Sequence, residues 1–138
     1  MEFHEILETL CNEYGISGNE SAVASRIIGM IEDYADSYRV DDMGNVIVFK
    51  KGAKTPKKKI LIDAHTDEVG MIVTGIEDNG FLRIWQMGGI DPRILPGSEV
   101  TVFGREKLYG VIGAKPPHLN NGPLKAAGLS DLAVDVGL

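Results

Sequence analysis

Apolar residues recur at helical spacing at the start of the chain: Phe3, Ile6, Leu7, Leu10 and Cys11. A period of three to four puts them on one stripe, which predicts an amphipathic helix from about Glu2 to Glu13 with that stripe buried. Tyr14-Gly15 stops it. Ser17-Gly18-Asn19-Glu20 has the form of a capping box, a hydroxyl for an orphan backbone donor and a carboxylate three residues on to reach back. Val23, Ala24, Ile27, Ile28 and Ile31 then supply a second helical stripe, ending near Tyr34.

The period next changes to that of strands. Tyr38–Asp41 and Val46–Phe49 flank Asp42-Met43-Gly44-Asn45, which predicts a tight hairpin. Ile60-Leu61-Ile62-Asp63-Ala64 is a nearly continuous apolar run, the pattern of a strand buried on both faces. His65 follows at its carboxyl end, where ligand sites lie in sheets covered by helices. From Val69 onward the helical period disappears. Met71–Thr74, Phe81–Trp85, Glu99–Phe103, Leu108–Ile112 and Leu132–Val136 read as short strands, and Glu77-Asp78-Asn79-Gly80 as a hairpin turn. Gly88-Gly89, Asp91-Pro92, Pro96-Gly97 and Pro116-Pro117 punctuate loops. The expectation is an α/β start over residues 1–70 and a β-rich piece over 71–138. The chain is also expected to be an amino-terminal portion, because it ends at Gly137-Leu138 directly after a strand.

Composition narrows the function classes. The net charge of −6 and pI near 5.0 disfavour a nucleic-acid binder. Lys50, Lys51, Lys54, Lys57, Lys58 and Lys59 form one local exception, read as a solvated loop that could also meet an anion or acidic partner. Cys11 is the single cysteine, so no intrachain disulfide can form, which fits a reducing compartment. No secretory signal and no membrane-spanning apolar run is visible. The expected setting is the cytoplasm.

The chemistry concentrates in Asp63-Ala64-His65-Thr66-Asp67-Glu68-Val69-Gly70. An imidazole can give a neutral ring nitrogen to a transition metal. A ligating histidine usually donates its other ring N–H to a carboxylate, which fixes the tautomer. Asp67 can play that part if the chain curls back, and Asp63 on the predicted strand needs a partner or a capping role. The spacing alone is weak, since His-x-Asp arises often by chance. Other candidates carry bland readings. His118 follows Lys115-Pro116-Pro117 in a loop, His4 sits at the polar edge of the first helix, and Cys11 belongs to a buried stripe. Phe81 and Trp85 suit packing or a dimer surface. Gly88-Gly89 lacks the lysine of a phosphate loop.

The run Ile60 to Val73, with its Asp63-Ala64-His65-Thr66-Asp67-Glu68-Val69-Gly70 centre, resembles the first metal motif of metallopeptidase family 42. That family includes glutamyl and tetrahedral aminopeptidases and members once labelled cellulase M or endoglucanase. Ser17-Gly18-Asn19-Glu20, Asp42-Met43-Gly44-Asn45, Gly88-Gly89-Ile90-Asp91 and Gly110-Val111-Ile112-Gly113 with Pro116-Pro117-His118 recur in it in this order. The resemblance covers essentially the whole chain. It implies part of a phosphorylase/hydrolase-like α/β catalytic domain, interrupted by part of an inserted β-rich, PDZ-like domain used in dimerisation. It implies His65 as a terminal ligand of a centre of two divalent ions, zinc or cobalt, and Asp67 as the residue that orients His65. It also implies peptide substrates, metal-assisted hydrolysis of amino-terminal residues with a Glu activating the water, and a homo-oligomer. No membrane partner is expected.

The family's bridging Asp, Glu-Glu pair, further Asp and last His have no counterpart in these residues. Asp131 and Asp135 match an inserted-domain strand instead. A catalytic zinc normally needs three protein ligands, so little activity is expected of this chain alone. The rival reading is a non-catalytic β-rich module for oligomerisation or peptide binding. A glycosidase would need two facing carboxylates, which no motif supplies.

Overall fold

The computed structural model describes residues 2–55, 57–116 and 128–137. By internal packing the chain divides into Met1–Glu68 and Val69–Leu138. Together they make a mixed α/β chain, and each unit is described by itself.

In the first unit, α1 (Phe3–Cys11) and α2 (Ser21–Ile31) follow the two apolar stripes, and a single 3-10 turn (Glu32–Tyr34) ends the second. The stripe of α1 is not buried. None of its residues is, and Cys11 is exposed rather than part of a core. A stripe is buried only where another apolar surface meets it, and α2 alone offers Val23 and Ala24 as buried residues.

Ser17 does not cap α2. Asn19 N–H donates to the Ile16 carbonyl at 2.8 Å and Gly18 has φ +89°, so residues 16–19 form a turn that turns away from capping geometry. Glu20 bonds back to Gly18 N–H instead, at 2.7 Å. Strands β1 (Ser37–Val40) and β2 (Val46–Phe49) pair antiparallel with Tyr38 opposite Val48. Their turn is held by Asp41, whose carboxylate accepts from the backbone N–H groups of Met43 and Asn45 and from the Asn45 side chain. The Asn45 side-chain bond is the main reason that Asp41 sits below the ordinary carboxylate pKa.

The expected strand at Ile60–Ala64 is absent. These residues pair with no strand, and Ile60, Leu61 and Ile62 are between 88% and 90% exposed. An apolar run becomes a strand only by hydrogen bonding to a neighbour, and none of the described strands pairs with it.

The second unit is one antiparallel sheet in the order β3-β4-β7-β6-β5: β3 (Gly70–Ile76), β4 (Leu82–Met87), β5 (Glu99–Phe103), β6 (Lys107–Ala114) and β7 (Leu132–Asp135). Hairpins join β3 to β4 and β5 to β6, and β7 inserts between them, Val134 pairing with Leu82 on one side and Ile112 on the other. A bulge at Val73/Gly75 shifts the β3 register. Alternate residues Leu82 and Ile84, Leu132 and Val134, with Ile112 and Leu95, point to one side and close a core. Gly110 lets β6 approach β7: a Cβ there would lie 2.6 Å from a Val134 methyl. Trp85 lies on the other face and is exposed, beside Ile72 in the register, so it is not a core residue.

Candidate metal centre

His65 closes an extended stretch whose following residues are tied down. Glu68 N–H donates to the Gly15 carbonyl at 2.7 Å, Gly15 N–H donates to Glu68 Oε1 at 3.3 Å, and Ile16 and Glu68 form a parallel bridge. The turn before α2 thereby anchors the chain just past His65. Glu68 was not singled out by the sequence reading. An acid next to His-x-Asp was the only signal, and its anchoring partner lies 53 residues away.

With that anchor the chain curls so that His65 Nδ1 lies 3.0 Å from the Asp67 carbonyl oxygen and 3.1 Å from Asp67 Oδ1. Both partners are acceptors when the carboxylate is ionised, so this geometry assigns the ring proton to Nδ1. In the neutral imidazole the lone pair is then left at Nε2. The side chain of His65 is 85% exposed and that of Asp67 38%. So exposed a pair contributes little stability. What it does is restrict the ring's rotation. Asp63 is exposed, so the partner expected for a buried acid is not required.

A shallow cavity of about 260 Å³ adjoins the ring, lined by Cys11, Glu13, Val23, Ile27, His65 and Glu68 among others. Its lining mixes apolar side chains with the two acids Glu13 and Glu68. Glu13 is engaged by Arg26, whose Nε donates at 2.8 Å. Among the described residues no three His, Cys, Asp or Glu side chains are grouped to hold a metal ion. The chemistry of His65 suits a divalent ion, but the donor set does not complete a site for one, still less for two.

Asp131 and Asp135 serve turns: Asp131 Oδ2 accepts from Gly128 N–H and Asp135 Oδ1 from Gly137 N–H, both at 2.9 Å. His4 is exposed on α1, and His118 lies outside the described residues. No helix of the described residues is long and apolar enough to cross a membrane.

Comparison with known proteins places these features in context. Residues 44–138 match the model of the M42 glutamyl aminopeptidase family. Lysyl aminopeptidase of Pyrococcus furiosus is 32% identical over 138 residues, which take in 96% of this chain and 39% of that protein. The crystal structure of a TET aminopeptidase from a marine sediment Thaumarchaeota archaeon superposes with a TM-score of 0.88 at 36% identity, over 97% of this chain and 38% of that one. The TET1 peptidase of Pyrococcus horikoshii, which can assemble into a tetrahedron or a large octahedral shell, gives 0.81 at 42% identity, over 99% and 41%. The chain thus spans about two fifths of the length of these relatives.

Proposed function

The chain belongs to the M42 glutamyl aminopeptidase family, and from that premise we propose that it supplies part of a dinuclear metal-dependent aminopeptidase that removes amino-terminal residues from peptides. In this reading His65 is a metal ligand through Nε2, and Asp67 holds the ring from its other side. Residues up to Gly70 belong to the catalytic α/β domain, and residues from Met71 to a PDZ-like domain that mediates dimerisation in the cytoplasm. The exposed neighbours Ile72 and Trp85 support a self-association surface on that sheet. Zinc or cobalt is what the family resemblance implies, and a single imidazole does not select between metals.

One observation carries the site assignment: the double acceptance of His65 Nδ1–H by Asp67. A ligating histidine needs that kind of partner to keep its coordinating nitrogen free and aimed. The described side chains do not group into a metal site by themselves, and a catalytic zinc normally needs three protein ligands, so the 138 residues alone are proposed to be inactive. Family membership weighs against a non-catalytic module as the whole of the function.

The test is a hybrid in which residues 1–138 replace the matching stretch of the Pyrococcus horikoshii TET1 peptidase. The hybrid is expected to hydrolyse aminoacyl substrates and to lose that activity to a chelator. His65→Ala is expected to abolish turnover, and Asp67→Asn to lower metal affinity or activity by about 10–100-fold. Full activity in the His65→Ala hybrid removes the assignment. Chelator-sensitive turnover by the 138-residue chain itself, its mass confirmed, removes the claim of inactivity.

A further inference from the structure

Gly15 is buried, and one residue meets both of its backbone polar groups. Its carbonyl accepts from Glu68 N–H at 2.7 Å, and its own N–H donates to Glu68 Oε1 at 3.3 Å. Buried backbone groups are costly to leave unpaired, so this reciprocal tie resists opening. Gly15 also stands where a side chain does not fit. A Cβ there would lie 2.5 Å from Val23 Cγ2 and 3.6 Å from the Thr66 carbonyl oxygen. Val23 is buried on α2 and β-branched, so its methyl has little freedom to swing aside. Thr66 is the residue between His65 and Asp67. The place of the missing Cβ is therefore shared by α2 and by the segment that carries the candidate ligand.

Asp67 reaches the His65 ring from two residues away, with its carbonyl and its carboxylate together. That contact needs a curled backbone over residues 65–67, and the tie of Glu68 to Gly15 closes the far end of the curl. We propose that Gly15 and Glu68 are positioning residues for His65: they seat residues 66–68 against α2 and so keep Asp67 on Nδ1. The metal part of this proposal rests on the reading of His65 as a ligand; the ring-orienting part does not. Released from Gly15, residues 66–68 can extend and carry the Asp67 oxygens off Nδ1. The ring proton can then sit on Nε2, the nitrogen assigned to the metal.

The experiment has two arms. In the 138-residue chain, long-range nitrogen NMR reads the His65 tautomer in the wild type, Gly15→Ala, Glu68→Ala and Glu68→Gln, and far-UV circular dichroism checks that the helices are intact. Glutamine keeps an oxygen to accept from Gly15 N–H, so Glu68→Gln is expected to retain the Nδ1 proton, whereas Glu68→Ala and Gly15→Ala are expected to lose the preference with helix content unchanged. In the TET1 hybrid, both alanine variants are expected to raise the zinc concentration for half-maximal activity about threefold or more, and Glu68→Gln less than about twofold. A wild-type tautomer in Glu68→Ala, or equal loss in Glu68→Gln, overturns the proposal. So does loss of helix content in both alanine variants, which would make the role of the tie merely structural. A fully active His65→Ala hybrid removes the metal reading alone, and the tautomer measured in the chain still decides whether Gly15 and Glu68 set the ring.

Discussion

Val69–Leu138 close a core in which Ile112, Leu132 and Val134 are each 1% exposed, whereas Met1–Glu68 bury only Val23 and Ala24 among their described apolar residues. The residue with the clearest chemistry, His65, belongs to the second of these, the less buried unit. Local stability follows buried apolar contact, so the two units are expected to open on different free-energy scales. The sheet unit can hold its shape through its own side chains. The unit with the histidine is held by backbone ties such as Gly15 to Glu68 and by one hairpin turn. Positioning of His65 therefore rests on a few polar bonds close to it, and the bonds from Asp67 gain importance for that reason.

Substitutions sharpen the contrast, and the largest effect is expected in the core. Leu132→Ala or Ile112→Ala removes a side chain packed on all sides and is expected to cost about 2–5 kcal/mol, read by urea unfolding through Trp85 fluorescence. A cost well under 1 kcal/mol would erase the difference between the units. Gly110→Ala comes next. Its methyl would meet Val134 at 2.6 Å and the Asp135 carbonyl oxygen at 3.2 Å, and overpacking of this kind costs about 1–3 kcal/mol. A neutral result would mean that β6 and β7 stand further apart.

A smaller effect concerns pH. The Arg93 guanidinium, with help from the Arg93 backbone N–H, holds the exposed Asp91 carboxyl down at about 2. A lowered pKa in the folded state means that the contribution is present above the ordinary value near 3.8 and is lost as pH falls through about 2. Titration of the carboxyl carbon by NMR is expected to find the low midpoint in the wild type and its return toward the ordinary value in Arg93→Ala. The smallest effect is expected at Leu61. Leu61→Ala removes the same atoms as Leu132→Ala from a fully exposed site, and stability should change by less than about 0.5 kcal/mol. A large loss there would show that the 60–62 run is covered after all.

What the sequence made legible was mostly local. The β1–β2 hairpin follows from Asp41 and Asn45, whose side-chain and backbone bonds close a turn within five residues. The β3–β4 hairpin follows from Glu77 and Gly80 in the same way, with Gly80 N–H donating to the Glu77 carbonyl at 2.9 Å. The insertion of β7 between β4 and β6 was not legible, because the pairing of Leu82 with Val134 spans most of the unit and leaves no mark in any short window. Two local patterns misled. Ser17 to Glu20 has the composition of a helix cap, but Gly18 takes a left-handed turn. Ile60–Ala64 has the composition of a buried strand, but composition cannot supply the neighbour that a strand needs. At the site, the His65–Asp67 contact follows from spacing once the chain curls. The curl itself depends on Gly15, far away in sequence.

The central claim is that Asp67 takes the proton side of the His65 ring and leaves Nε2 for a metal ion. Long-range nitrogen NMR of the imidazoles during titration with zinc tests it most directly. The account predicts a His65 ring protonated at Nδ1 before zinc is added, a zinc-dependent shift at Nε2 that saturates only at high concentration, and loss of the tautomer preference in Asp67→Ala. A His65 ring protonated at Nε2, or one that ignores zinc while His4 responds, would contradict it.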